Sequence, residues 1–432
     1  MTQLIQSKSI YHGLPIFPDE VEGLTAIVTG SNGISGAHQL KVLAESPRRW
    51  KKIYALSRRP PYGAWPDHVE HVSVDLLQSP EGIAKQLKDR GVHADHVFFF
   101  AYIQPAPKGD GGLWSDADEM VRVNTKLLSN FLQSLEINET IPKRVLLQLG
   151  AKYYGIHLGP AMTPQEETDA RVYTEPNFYY SQEDLLKEFS QKHSIGWNST
   201  RPSHILGAVP DAAMNLCYPL AVYANVQKRL GQPLDFPGDL AAWENPVSLS
   251  SAQANAYLSE WIVLTSHAKD ESFNAADDCP FTWSKFWPKL AAHFQIPWNG
   301  PDTSAGAKYH TIRGHPQPPR GYGPPGELRS RFTLVEWAKR PEVQKMWKDI
   351  AETYGLREKE LKEVDRVFGF ADQALTLTYP LQLSKNEREL TKSTISMSKA
   401  KKMGYFGFVD STESILQVVD DFVDLQMVPP FT

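Results

Sequence analysis

Cysteine is nearly absent: the chain has two in 432 residues, Cys217 and Cys279, far apart in sequence. That excludes a disulfide framework and argues against a cysteine-based metal site. No apolar run approaches the length of a membrane span, and the opening MTQLIQSKSIYHGLPIF has no apolar leader segment. The expectation is a soluble, cytoplasmic protein. Charge of one sign never forms a block and the formal net charge is only −5, so nothing attracts nucleic acid or an anionic membrane. The thirteen histidines show no ligand spacing such as HxxxH with a distant carboxylate, and no metal is expected.

What is present is a chain with 41% hydrophobic and 11% aromatic residues, including eleven Trp. This suffices for a large core, and such aromatics often line apolar pockets too. Six short apolar runs, at 24–30, 52–58, 71–76, 96–102, 144–150 and 196–202, read as strands buried on both faces. Helical patterns near 35–46, 80–90, 115–136 and 178–193 lie between them. This alternation predicts an α/β protein with a Rossmann-type, doubly wound parallel sheet over 20–205. Residues 206–432 read as a smaller, mostly helical substrate lobe, with helices near 212–230, 251–267, 283–294, 333–353 and 357–375 and segments that return to the sheet. The stretch 301–327, dense in Pro and Gly, is read as a loop or connector.

GSNGISG places Gly30, Gly33 and Gly36 directly after a strand and at the opening of a helix. Glycine lets the chain turn where a side chain would block a pyrophosphate, and N–H groups at the helix start face the anionic oxygens. Asn32 and Ile34 belong to the same candidate cradle. The second strand ends in Ser57-Arg58-Arg59 with no carboxylate. An acidic residue there would select a ribose hydroxyl, whereas arginine accommodates a 2′-phosphate, so NADPH is favoured over NADH. Asp75 and Leu76, after the third strand, are expected beside the adenine.

To this point the sequence resembles the short-chain dehydrogenase fold, which normally carries Tyr-x-x-x-Lys on the helix after the fifth strand. Here PNFYYSQEDLLKEF (176–189) puts Glu183 four residues after Tyr179 and Asp184 four after Tyr180. A carboxylate there is expected to raise the phenol's pKa, the wrong direction for an acid. A replacement cation stands in LLQLGAKYYG (146–155): Lys152, just past the end of the fifth strand, where α/β folds place ligands.

SRRP (57–60), LQLGAKYYG, PNFYYSQEDLL, WNSTRPSHILG (197–207), MNLCYPLAVYA (214–224), FPGDLAAWE (236–244), KDESFNAADDCPFTWSKFWPKLA (269–291) and SMSKAKKMGYFGF (396–408) run in one order along the chain. In these segments it resembles the progesterone 5β-reductase/iridoid synthase-like family of atypical (extended) short-chain dehydrogenases/reductases. The resemblance implies an NADPH-dependent enzyme of specialised metabolism that delivers hydride to the β-carbon of an α,β-unsaturated carbonyl. It places the catalytic pair on Lys152 and the second tyrosine, Tyr180, with Tyr179 as the fallback. The expected cofactor set also includes Ala101, Tyr102, Gly150, Pro202, Ser203 and Ile205; Tyr102, Tyr153 and Met214 are expected to meet a small, apolar enone or enal.

The sequence departs from the family on the substrate side. The usual Thr-Gly-x-Lys-His-Tyr reads Leu149-Gly150-Ala151-Lys152-Tyr153-Tyr154, and the usual Thr-Trp is Ala101-Tyr102. The region 376–395 takes the place of a pocket-lining helical lid. Three alternatives stay open: a carbonyl reductase, a non-redox cyclase or isomerase, and a dinucleotide sensor. A homodimer also stays open. Asn124 is either a buttress of active-site backbone or solvent-facing, and His204 reads as a packed side chain.

Overall fold

The structure, a computed structural model, describes residues 4–106, 114–158, 161–211, 214–313, 326–376, 378–380 and 394–430. Seven strands form one parallel sheet: β1 (Leu24–Thr29), β2 (Trp50–Ser57), β3 (Val69–Ser73), β4 (His96–Phe99), β5 (Arg144–Gln148), β6 (Gly196–Pro202) and β7 (Glu271–Ala275). Their spatial order is β7-β6-β5-β4-β1-β2-β3, so the order reverses between β1 and β4. Crevices for ligands form at the carboxyl ends of strands at such a point.

Helix α1 (Ile34–Ala44) follows β1; α2 (Pro80–Asp89) follows β3; α3 (Ala117–Ile137) follows β4; α4 (Phe178–His193) precedes β6. Ile83 and Leu87, Leu128 and Phe131, and Leu186 and Phe189 cover one face of the sheet with α2, α3 and α4. Leu40 and Leu43 of α1 cover the other face together with Leu258, Trp261 and Ile262. The last three belong to a helix, α6 (Ala252–Leu264), that comes after α5 (Cys217–Leu230). Thus chain beyond residue 206 supplies both a helix and the seventh strand to the nucleotide-binding sheet. Strand β7 escapes a search for apolar runs because it reads ESFNA.

The second lobe has its own apolar core. Helix α5 packs with α7 (Trp283–Phe294), α8 (Val364–Ala374) and α9 (Ser411–Asp424) through residues such as Tyr223, Trp287, Phe368 and Phe422. Trp50, Trp283, Trp287 and Trp347 are fully buried, so these tryptophans serve the core and not a pocket. The helix expected over 333–353 is two, Leu334–Ala338 and Pro341–Thr353, because Pro341 cannot continue the first. Within the stretch expected to be a loop, strand His310–Arg313 pairs antiparallel with Gly326–Ser330, and 314–325 lie outside the described residues. Of the 376–395 region, 377 and 381–393 lie outside them as well. Among the described residues no helix is long and apolar enough to cross a membrane.

Candidate active site

The glycine turn has the geometry of an anion cradle. Gly30 adopts φ +64°, and a Cβ there would lie 2.9 Å from the carbonyl group of Phe100 at the end of β4. A Cβ on Gly36 would lie only 2.3 Å from the Gly30 carbonyl oxygen, with backbone atoms all round it. Gly33 is the N-cap of α1 and no side chain caps that end, which leaves the first N–H groups for a pyrophosphate. The residues therefore fit a dinucleotide. Gly36→Ala is expected to open this turn and weaken nicotinamide dinucleotide binding by about tenfold or more, read by fluorescence titration. Undiminished binding would mean that the turn has slack the geometry does not show.

At the end of β2, Ser57 is buried. Its hydroxyl pairs with that of Ser31 at 2.8 Å and donates to the Arg59 carbonyl at 2.6 Å. Ser57 thereby fixes the turn that presents Arg58 and Arg59, whose side chains are exposed. The Asp75 carboxylate caps its own turn by accepting from the Leu77 N–H at 3.0 Å. Asn130, on α3, holds the same segment by donating to the carbonyls of Leu76 and Gln78 at 3.0 and 2.7 Å.

Around the end of β5 the structure separates the two tyrosines. A Cβ on Gly150 would stand 2.7 Å from the Tyr179 hydroxyl oxygen; glycine is needed there because that phenol reaches the strand end. Burial pushes the Tyr179 phenol up, with no other group contributing. Among the described residues its hydroxyl has no hydrogen-bond partner. The Tyr180 hydroxyl instead donates to the Tyr153 carbonyl at 2.6 Å and accepts from the Val172 N–H at 2.9 Å. Tyr180, preferred on sequence grounds, is placed as an anchor between two backbone segments.

Lys152 lies in the single turn Ala151–Tyr154 that follows β5. Burial holds its ammonium well below the usual lysine range, and the charge of Glu175 only partly offsets this. The face of Trp114 lies 2.7 Å from the Lys152 Nζ and favours the charged form. Trp114 in turn donates through Nε1 to the Tyr102 hydroxyl at 2.6 Å, and Tyr102 donates to Gln104 at 2.6 Å. Nothing in the sequence pointed to Trp114. Asn177 couples the catalytic candidates: its amide donates to the Lys152 carbonyl at 3.0 Å, and its Oδ1 caps α4 by accepting from the Tyr179 N–H at 3.0 Å.

The remaining expectations divide. Asn124 is fully buried and grips the loop after β4 by accepting from the Ile103 N–H and donating to the Ile103 carbonyl, both at 2.9 Å. That is the buttress, not the solvent-facing alternative. The Tyr102 ring lies tilted 5.8 Å from Phe178 and feels the charge of Tyr179, so it stands beside that phenol. Ala101, next to it, is held by an N–H bond to the Thr29 hydroxyl at 3.2 Å. The Ser203 N–H donates to the Ser250 hydroxyl at 2.9 Å, and Pro202 and Ile205 flank it at the end of β6. His204 packs against Phe370 at 5.4 Å; burial, helped by the charge of Lys152, brings it down to about 4. Met214 is half-buried before α5.

Tyr153 is 5% exposed and turned inward, donating to Glu183 at 3.1 Å and accepting from Arg171 at 3.2 Å. It therefore does not present its side chain to substrate. Glu183 likewise departs from the role expected of it: its carboxylate pairs with Arg171 at 2.7 Å and Arg201 at 3.3 Å beneath the turn. The rise in the Tyr179 phenol comes from burial, not from this charge.

A family profile described as PRISE-like Rossmann-fold domain matches residues 26–312. The chain is 31% identical over 426 residues to the uncharacterized protein C757.02c of Schizosaccharomyces pombe, covering 94% of this chain and 99% of that one. It is 28% identical over 415 residues to the 3-oxo-Delta(4,5)-steroid 5-beta-reductase of Arabidopsis thaliana, with 94% and 93% covered. It is 27% identical over 415 residues to the (S)-8-oxocitronellyl enol synthase of Catharanthus roseus, with 94% and 92% covered.

Proposed function

The chain belongs to the PRISE-like Rossmann-fold family of short-chain dehydrogenase/reductase-type oxidoreductases, and from that premise we propose that it reduces the alkene of a small, apolar α,β-unsaturated carbonyl with NADPH. The observation that carries the reading is the pairing at the end of β5. A phenol without a hydrogen-bond partner among the described residues reaches Gly150, while a half-buried lysine comes from the adjoining turn and not from the helix. Arg58 and Arg59, with no carboxylate at the end of β2, support the 2′-phosphorylated cofactor.

The turn at Gly30, Gly33 and Gly36 with Arg58 and Arg59 would hold NADPH, which when bound would supply a hydride to the β-carbon. The chain's part is to hold the carbonyl oxygen: Tyr179 donates a hydrogen bond to it, and the Lys152 ammonium offsets the negative charge that gathers there as the alkene electrons shift into an enolate. Burial makes both interactions stronger than they would be in water. Solvent then protonates the α-carbon, so no second proton relay is needed and the loss of a lysine from α4 is tolerated. Half-buried Tyr102 and Trp114 give that oxygen aromatic walls.

The test is incubation with NADPH and a panel of enones and enals, following the nicotinamide absorbance and identifying products. A saturated carbonyl is expected. An allylic alcohol would select carbonyl reduction, a rearranged skeleton without NADPH consumption a non-redox reaction, and binding without turnover a sensor.

A further inference from the structure

The turn after β2 is tied to the second lobe. Arg59 Nη2 donates to one carboxylate oxygen of Asp211 at 2.9 Å, and the other oxygen accepts from Arg366 Nη2 at 3.3 Å. In the same turn the Tyr62 ring lies 4.6 Å beneath the Arg357 guanidinium. Arg366 sits on α8; one helical turn on, Phe370 packs on His204 just past β6. Because residues four apart share a helix face, one face of α8 links the turn after β2, through Asp211, to the segment just past β6. Arg366 Nε is buried and has no hydrogen-bond partner among the described residues.

We propose that Asp211 sets the cofactor specificity of the site: its carboxylate competes with the cofactor's 2′-phosphate for Arg59, while Arg366 of the second lobe keeps it in place. This rests on the reading of Arg58 and Arg59 as the phosphate site. The Asp211–Arg59 pair is open to water, with side-chain exposures of 52% and 71%, and such pairs are weak. A phosphate dianion makes stronger, charge-assisted bonds to the same guanidinium. Exchange is therefore feasible, but a carboxylate left beside the phosphate repels it. NADH has no phosphate and leaves Asp211 on Arg59.

Asp211→Asn is expected to tighten NADPH about three- to fivefold at low salt, the size an exposed charge pair allows. NADH should change by less than about twofold, and the NADPH effect should shrink as ionic strength rises. Asp211→Ser removes the charge with a different side chain and is expected to give the same shift. Equal changes for both cofactors would show a strap between lobes without a role in specificity, and an unchanged NADPH Kd would also overturn the proposal. A different result marks failure of the phosphate-site reading itself: wild-type and variant both binding NADPH and NADH equally well.

Discussion

Tyr179→Phe is expected to lower kcat on an enone by about 10²–10³, the usual effect of removing one oxyanion donor, with NADPH binding retained. Tyr180→Phe is expected to leave turnover per folded molecule near wild type and to lower stability by about 1–3 kcal/mol. The second loss arises because the Val172 N–H keeps no acceptor in a buried place and the Tyr153 carbonyl loses its donor. Steady-state rates and thermal unfolding on the two variants separate the roles cleanly. If Tyr180→Phe abolished turnover while folding normally, and Tyr179→Phe did not, the assignment would have to be exchanged.

The contrast between these two residues shows where sequence reading stops. Their type and neighbourhood were legible: a tyrosine pair at the start of α4, a lysine after β5, a glycine turn after β1. Which tyrosine faces the strand end is decided by helix phase, since adjacent residues point about 100° apart on a helix. The family resemblance pointed to Tyr180. The structure shows the determinant elsewhere, in Asn177, which starts α4 and ties it to the Lys152 turn. Strands β1 to β6 were legible because they bury both faces and read as apolar runs. Strand β7 was not, since Ser272 and Asn274 are buried through hydrogen bonds. Trp114 is joined to Lys152 only by the fold.

The same limit hid Glu183. A mid-helix glutamate normally reads as solvated, and as a threat to the neighbouring phenol if not. Here its side chain is 1% exposed, yet its charge is kept. Burial alone would raise the carboxyl, but the hydrogen bond from Arg171 and the charges of Arg201 and Lys187 bring it down to about 2. The Ser199 and Ser272 hydroxyls, on β6 and β7, add hydrogen bonds at 3.3 and 3.2 Å. Arg201 also lies 3.5 Å over the Tyr153 ring, so one carboxylate joins α4, two strands and the turn that carries Lys152.

Glu183→Gln is therefore expected to be the most destabilising of these substitutions. It leaves the buried Arg201 without its counter-charge, while Arg171 keeps Asp184, and breaking a buried pair from one side costs about 3–5 kcal/mol. The pH dependence has a definite sign. A carboxylate depressed from 4.5 to about 2 in the folded chain stabilises it fully above pH 4.5, and that stability is lost as pH falls from 4.5 towards 2. Thermal midpoints from pH 7 down to 3 should fall for the wild type and change less for Glu183→Gln, which has no such proton to take up. Because Glu183 holds the Tyr153 hydroxyl, the variant should also lose turnover per folded molecule while its NADPH Kd stays close to wild type. A variant of wild-type stability with an unaltered acid limb would mean that Arg201 finds another partner, and that the Lys152 turn is held by Asn177 alone.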